Sequence, residues 1–276
     1  MAGVMSFQRP VAGSKAGMGR VAITTPDRAT LLADIETHLA SRQGFALATL
    51  NLDHLVKLNQ DPAFLAAYLA QSHVVADGNP VVWLQRLAGQ PVELIPGSEL
   101  ITPLCAIAAR LGVPVGLLGS TQAVLDLAAQ RLTFAHPGLT VVARLAPPLG
   151  FDPAGAQGEA ALHALAAVGA RLCFLALGAP KQEILAARGR VVLPEAGFVS
   201  IGAGLDFIAG AQVRAPVWVR KIAMEWAWRL MSNPGRLGRR YLNCALILPG
   251  LTLQARKDAL MQTSPPRLPD QSGPGN

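Results

Sequence analysis

Asp77 has the setting that best fits chemistry. It follows the short apolar run Val74–Ala76 and opens the turn Asp77-Gly78-Asn79-Pro80. A second run, Phe45–Leu50, carries Thr49 and breaks into Asn51 and Asp53. Apolar runs this short, bounded by turn residues, read as buried strands of a parallel sheet. Ligands of open α/β sheets bind beyond the carboxyl ends of the strands, so Thr49, Asn51 and Asp77 would converge on one crevice. Thr49 and Asn51 are two apart and would project the same way from a strand end. A carboxylate so placed can act as a general base. Asp-Gly-Asn-Pro is equally an ordinary turn leading into a helix with proline near its start, the aspartate serving as cap. These residues alone leave both readings open.

Three further strand ends carry small or polar turns. Val113–Leu118 runs into Gly119-Ser120-Thr121, followed by a helix over 122–135 and a strand over 139–145. A strand, a small-residue turn and a helix N-terminus form a phosphate-binding arrangement, though the spacing Gly116…Gly119 is a weak signal by itself. Leu172–Leu177 runs into Gly178-Ala179-Pro180-Lys181-Gln182. A cation such as Lys181 in a first helical turn opposes the helix dipole unless an anion is bound. Phe198–Ile201 ends in Gly202-Ala203-Gly204-Leu205-Asp206.

The elements that would position these turns alternate. A strand over 20–25 is followed by an amphipathic helix to about Ser41, with Leu31, Leu32, Ile35 and Leu39 on one face. Helical material over 52–70 is broken at Asp61-Pro62, and Ser98 is the expected cap of a helix to Leu111. The alternation predicts an α/β fold with a Rossmann-like, mostly parallel sheet and flanking helices. The expected organisation is a flexible leader over 1–19, a catalytic core over 20–212, a helical appendage over 213–262 and a disordered tail over 263–276.

Charge separates the appendage from the core. The chain has 276 residues and a formal net charge of +7, yet Arg214–Lys257 holds nine basic residues against the single acid Glu225. A near-neutral body with a basic C-terminal piece suits an anionic partner: nucleic acid, phosphate groups or a membrane surface. Three of the four tryptophans (Trp218, Trp226, Trp228) and the uncharged run Cys244–Leu253 share that piece. The run is too short to span a bilayer, but with Trp and Arg it suits a membrane interface. Packing on the core or against a second copy of the chain explains it as well. The nucleic-acid reading lacks its usual signatures. No G-x-G-x-x-G follows the first strand with an acid about 20 residues on, which argues against a dinucleotide cofactor. Cys105, Cys173 and Cys244 are isolated and fit buried roles in a reducing compartment. The five histidines form no H-x-x-x-H pair, so no metal site is expected, and no Asp-x-Asp pair occurs.

Seven segments in order carry a resemblance: T-L-N-x-D-H (49–54), A-D-G-x-P (76–80), L-G-A-P-K-Q-E (177–183), G-A-G-x-D-F-x-A-G (202–210), V-R-A-P-x-W (213–218), E-W-x-W-R-L (225–230) and N-P-x-R-x-x-R-R-Y (233–241). Over about residues 20–245 the chain resembles the WecG/TagA/CpsF glycosyltransferases, glycosyltransferase family 26. The resemblance implies a GT-E-type fold and a bacterial enzyme on the cytoplasmic face of the plasma membrane. It implies inverting, metal-independent transfer from a UDP-sugar, typically UDP-N-acetylmannosamine or its uronate, to a polyprenyl-diphosphate-linked sugar. The products would serve teichoic acid, common antigen, capsule or exopolysaccharide synthesis. It assigns Asp77 as base, and Thr49, Asn51 and Gln182 to substrate. Arg236, Arg239 and Arg240 fall to an appendage that docks on the membrane and completes the site. With the residues read above, the substrate-binding set is Thr49, Asn51, Gly119, Ser120, Gly178, Lys181, Gln182, Gly204, Asp206, Arg214, Arg236, Arg239 and Arg240. The chain departs from the family pattern E-R-V-x-G-x-D-L at Leu94 and Glu99. That bears on the donor sugar and leaves UDP-glucose or UDP-glucuronate as alternatives.

Overall fold

The computed structural model describes residues 7–10, 18–216, 218–219, 224–232 and 234–263. Strands β1 (Phe7–Pro10) and β2 (Met18–Val21) form a small antiparallel pair. The core then alternates: α1 (Arg28–Ala40), β3 (Phe45–Leu50), α2 (Leu52–Leu58), α3 (Pro62–Leu69), β4 (His73–Ala76), α4 (Asn79–Leu87), α5 (Gly97–Leu111) and β5 (Val115–Gly119). It continues through α6 (Gln122–Ala135), β6 (Val141–Leu145), α7 (Ala156–Ala167), β7 (Leu172–Ala176), α8 (Lys181–Val192), β8 (Gly197–Ser200) and α9 (Gly204–Ala209). Helices α10 (Glu225–Ser232) and α11 (Pro234–Thr263) follow.

Six strands form one parallel sheet in the order β4-β3-β8-β7-β5-β6. Every residue of β3 and β4 is buried, as expected of strands covered on both faces. The period of two divides β3 between them. Phe45 and Leu47 join the cluster under α1, α5 and α6, whereas Ala48 and Leu50 join the cluster under α2, α3 and α4. From β4 the chain crosses to β5, passing β3, β8 and β7, and the carboxyl ends of these strands line the crevice where an open α/β sheet binds its ligand.

Two local expectations are corrected. Residues 20–25 do not form a strand of the main sheet. Val21 ends β2, and Thr24 instead covers the outer edge of β4: its N–H donates to the Val74 carbonyl at 2.9 Å, and its Oγ1 accepts from the Val74 N–H at 2.8 Å. This satisfies backbone groups an edge strand would leave open. Ser98 does not cap α5, which begins at Gly97 after an extended Pro96. A Cβ on Gly97 would meet the Ser200 carbonyl oxygen at 2.8 Å, so glycine lets the helix start press against the end of β8. Residues 1–6 and 11–17 of the expected leader and 264–276 of the expected tail fall outside the described residues, as do 217 and 220–223 of the helix expected over 217–231; of that helix, 218–219 and 225–231 are helical.

Helix α11 absorbs the apolar run 244–253 and folds back on the core, packing on α2 and α4. Cys244 and Ala255 are buried on that side, and Ile247, Leu248 and Leu251 pack there. On the opposite side Leu242, Leu246, Leu253 and Leu260 are 60%, 70%, 57% and 68% exposed. At 3.6 residues per turn those four lie within about 40° of one another. Helix α11 therefore has two apolar faces, of which the core covers one. No helix among the described residues is long and apolar enough to cross a membrane.

Candidate functional site

Six of the ten buried polar side chains of the described residues gather where the carboxyl ends of β3 and β8 meet the starts of α2 and α8: Thr49, Asp53, His54, Gln182, Glu183 and Ser200. Buried polar groups cost stability unless paired, so their clustering marks this end of the sheet. Thr49 and Asp77 meet here, with Thr49 Oγ1 donating to Asp77 Oδ2 at 3.3 Å. The Asp77 N–H donates to the Leu50 carbonyl at 2.8 Å, extending the β3–β4 ladder by one residue. Gly78, at φ +109, then turns the chain into α4, a conformation that favours glycine. Asp77 thus sits between a rigid strand and a sharp turn.

Asn51 takes part differently from the expectation. Strand β3 stops at Leu50, and Asn51 caps α2, its Oδ1 accepting from the His54 N–H at 3.0 Å. The cap uses Asn51 Oδ1 and leaves its amide NH2 out of that bond. Beneath the pair, the Tyr68 hydroxyl donates to the Thr49 carbonyl at 3.2 Å and lies 2.7 Å from His54 Nδ1. Burial pushes His54 down to about 3, so its imidazole is neutral and structural.

The P-K-Q-E segment supplies a second buried pair. Gln182 Nε2 donates to Glu183 Oε1 at 2.8 Å, and Gln182 Oε1 accepts from the Gly202 N–H at 3.2 Å. Gln182 therefore ties the start of α8 to the turn after β8. Glu183 is fully buried, and its Oε2 has no hydrogen-bond partner. Burial pushes its carboxyl up to about 7, against the opposing hydrogen bond from Gln182.

The other wall is made by backbone. Gly119 has φ +126, and a Cβ there would lie 2.3 Å from the Ala176 carbonyl oxygen. Ser120 is left-handed at φ +55, and its Oγ donates to Asp206 Oδ1 at 2.8 Å. Gly178 is also left-handed, at φ +70. Gly204 has a packing role: a Cβ there would meet Ile101 Cδ1 at 2.6 Å. Lys181 heads α8, half-buried, and forms no ion pair among the described residues.

The arginines divide. Arg240 Nε reaches Asp53 Oδ1 at 3.1 Å, while Lys57 Nζ holds Asp53 Oδ2 at 2.9 Å and also donates to the Ala179 carbonyl at 3.1 Å. Helix α11 is thereby pinned to the first turn of α2, two residues from Asn51. Arg239 is exposed, and the Arg236 side chain falls outside the described residues. Arg214 is held at the start of α5, where Gly97 abuts Thr49 and Ser200. Its Nη2 pairs with Glu99 Oε1 at 2.8 Å, and Arg28 Nη2 takes Glu99 Oε2 at 2.9 Å. Burial raises the Glu99 carboxyl, but hydrogen bonds from the two arginines outweigh it and hold the group below its ordinary value. The structure thus brings together Thr49, Asn51, Asp77, Gln182 and, through Asp53, Arg240. Ser120 and Asp206 form their own pair. Sequence reasoning missed Asp53, Lys57, Tyr68 and Glu183, although Asp53 and Glu183 stand inside two of the quoted motifs. The three cysteines are free and buried, as expected.

A Rossmann-like sheet with carboxylates, amides and glycine turns at its strand ends has the make-up of a group-transfer enzyme. Residues 18–261 match the sequence profile of the family described as "Glycosyl transferase WecG/TagA/CpsF family". The chain belongs to that family and is a glycosyltransferase. It is similar to the N-acetylglucosaminyldiphosphoundecaprenol N-acetyl-beta-D-mannosaminyltransferase of Bacillus spizizenii (strain ATCC 23059 / NRRL B-14472 / W23), with 27% identity over 205 residues, covering 74% of this chain and 77% of that protein.

Proposed function

We infer that this glycosyltransferase moves N-acetylmannosamine, or its uronate, from a UDP-sugar to a polyprenyl-diphosphate-linked sugar in cell-envelope polysaccharide synthesis, with inversion and without a metal. The observation that carries the reading is Asp77, held by Thr49 at the paired ends of β3 and β4. The relative's printed name supplies the sugar and the lipid acceptor. Inversion requires one base to take the acceptor hydroxyl proton while the anomeric carbon is attacked from the face opposite the leaving group. Asp77 is that base, contributing roughly 10²–10⁴-fold. The departing UDP gains negative charge. With no Asp-x-Asp pair in the sequence to hold a metal, that charge falls to the turns at Gly119 and Gly178, to Lys181 and to arginines of the appendage.

The uncovered apolar stripe of α11, with exposed Trp218 and Trp226, supports docking of the appendage on the inner face of the plasma membrane. A second copy of the chain is the competing occupant of that stripe. The test is turnover in EDTA with a synthetic prenyl-diphosphate-GlcNAc acceptor, offering UDP-ManNAc, UDP-glucose, UDP-glucuronate and UDP-GlcNAc in turn. Transfer from UDP-ManNAc, lost in Asp77→Asn while UDP still binds, is the expected result. Exclusive use of UDP-glucose or UDP-glucuronate would replace the donor assignment. Full activity of Asp77→Asn would overturn the base.

A further inference from the structure

The opposite end of β4 carries a group of side chains that glycosyl transfer does not use. Asp34 and His38 lie one turn apart on α1, and His73 is the first residue of β4. One donor atom from each lies within 4.8 Å of the other two. His73 Nε2 is 2.7 Å from Asp34 Oδ2, and His38 Nε2 is 3.9 Å from Asp34 Oδ1. His73 Nδ1 lies 3.0 Å from Ser72 Oγ, which also interacts with the backbone N–H and carbonyl of Ala46.

Hydrogen bonding inside the protein satisfies only part of this group. The Asp34–His73 contact accounts for two of its three members. His38 is left over: its Nε2 stops short of Asp34, and its Nδ1 is buried with no hydrogen-bond partner. Two imidazoles facing one carboxylate form a set that a shared cation completes. The chemistry of the set selects the ion. Imidazole nitrogen with one carboxylate oxygen suits a borderline divalent transition ion such as Zn²⁺, and is a poor match for Mg²⁺ or Ca²⁺, which prefer all-oxygen shells. Metal-bound histidines usually anchor their second nitrogen on a neighbouring polar group, which Ser72 provides for His73. Arg190, a cation felt at His73, is turned aside onto the Ala70 carbonyl at 2.7 Å. Asp34 is half-exposed, which leaves a water-accessible fourth position.

We propose that Asp34, His38 and His73 form a binding site for one divalent transition ion of the zinc type, stapling α1 to the edge strand β4. The site stands apart from the transfer chemistry. Four residues of strand separate His73 from Asp77, about 13 Å at roughly 3.3 Å per residue. The ion is therefore a stabilising ligand, and a chelator removes it without removing the base. The sequence conceals the site because its two histidines come from different elements, outside any H-x-x-x-H spacing.

The experiment uses the untagged full chain stripped with chelator. Co²⁺ is titrated in at neutral pH and followed by its visible d–d absorption, and Zn²⁺ is then measured by equilibrium dialysis with metal analysis. The expected result is one ion per chain, a Tm raised by Zn²⁺, and affinity weakened at least about 10-fold in both Asp34→Asn and His38→Gln. These side chains lie on a helix surface, so far-UV circular dichroism and the metal-free Tm of each variant report folding independently. Absence of stoichiometric binding in the wild type, or wild-type affinity in either variant, overturns the proposal. Loss of transfer in EDTA would count against the metal-free mechanism and leaves this readout untouched.

Discussion

The two walls of the strand-end crevice are built from different materials. The β3–β4 wall is made of side chains: Thr49 on Asp77, Asn51 capping α2, and Asp53 shared between Lys57 and Arg240. The β5–β7 wall is made of backbone, with left-handed Gly119, Ser120 and Gly178 and one hydrogen bond from Ser120 to Asp206. The difference matches the transfer proposed above. There a proton would go to one particular atom, which needs a positioned side chain. The diphosphate would be a diffuse charge that backbone N–H groups and helix starts can meet without a unique contact. Side-chain replacements on the first wall should therefore change turnover, whereas on the second wall only changes to the backbone should be severe.

The largest expected effect breaks the first wall. Asp77→Asn is expected to lower turnover by about 10²–10⁴-fold with UDP affinity preserved, measured by steady-state kinetics beside calorimetry. Next, Gly119→Ala strikes the second wall through its backbone. Its new Cβ would stand 2.3 Å from the Ala176 carbonyl oxygen at φ +126, so a stability loss of about 2–4 kcal/mol is expected in urea unfolding.

Glu183 comes third and gives a pH signature. Its folded pKa is raised from 4.5 to about 7, so the folded protein holds a proton that the unfolded chain has released. That contribution is fully present below about 4.5 and is lost as pH rises towards about 7, amounting to up to about 3 kcal/mol. Glu183→Gln should flatten this part of the stability–pH profile. An unchanged profile would show that the carboxylate finds a partner in solution. Smaller again, Arg240→Ala removes an ion pair whose arginine is 41% exposed, and should cost less than about 1 kcal/mol of stability. A fall in turnover much larger than that would assign Arg240 to substrate as well as to Asp53. Ser120→Ala should be nearly silent in both assays, and a large kinetic effect there would erase the contrast between the walls.

Much of this was legible in the residues. The short, largely apolar runs located all six strands of the main sheet, although the edge strand β6, which carries Arg144, is not buried along its length. The turns after β3 and β4 predicted that Thr49 and Asp77 would converge, and the two are hydrogen-bonded. What the sequence hid were contacts made across long separations. Asn51 reads as a strand residue until the strand is seen to stop at Leu50 and leave it as a helix cap. The sequence does not show that Arg214 and Arg28 share Glu99, which stands where the family pattern has aspartate. The strand expected at 20–25 failed because Thr24 hooks the edge strand through its own N–H and hydroxyl without forming a ladder. Glu183 looked like an ordinary first-turn acid, since nothing local says that it will be buried with an unpaired oxygen.

The docking of α11 on α2 and α4 also sets a clock on synthesis. Helix α2 ends at Leu58 and α11 begins at Pro234, so about 180 residues must leave the ribosome between them, on the order of 10–35 s at 5–20 residues per second. Through that interval the apolar wall formed by α2 and α4 has no cover, and Asp53 lacks its arginine. Strand β3 likewise waits for β8 to close its inner edge. The nascent chain therefore passes through a long window with this apolar wall open, and the crevice is finished only once α11 has emerged. A ribosome stalled before Pro234 would hold the paired ends of β3 and β4 without the helix that packs beside them.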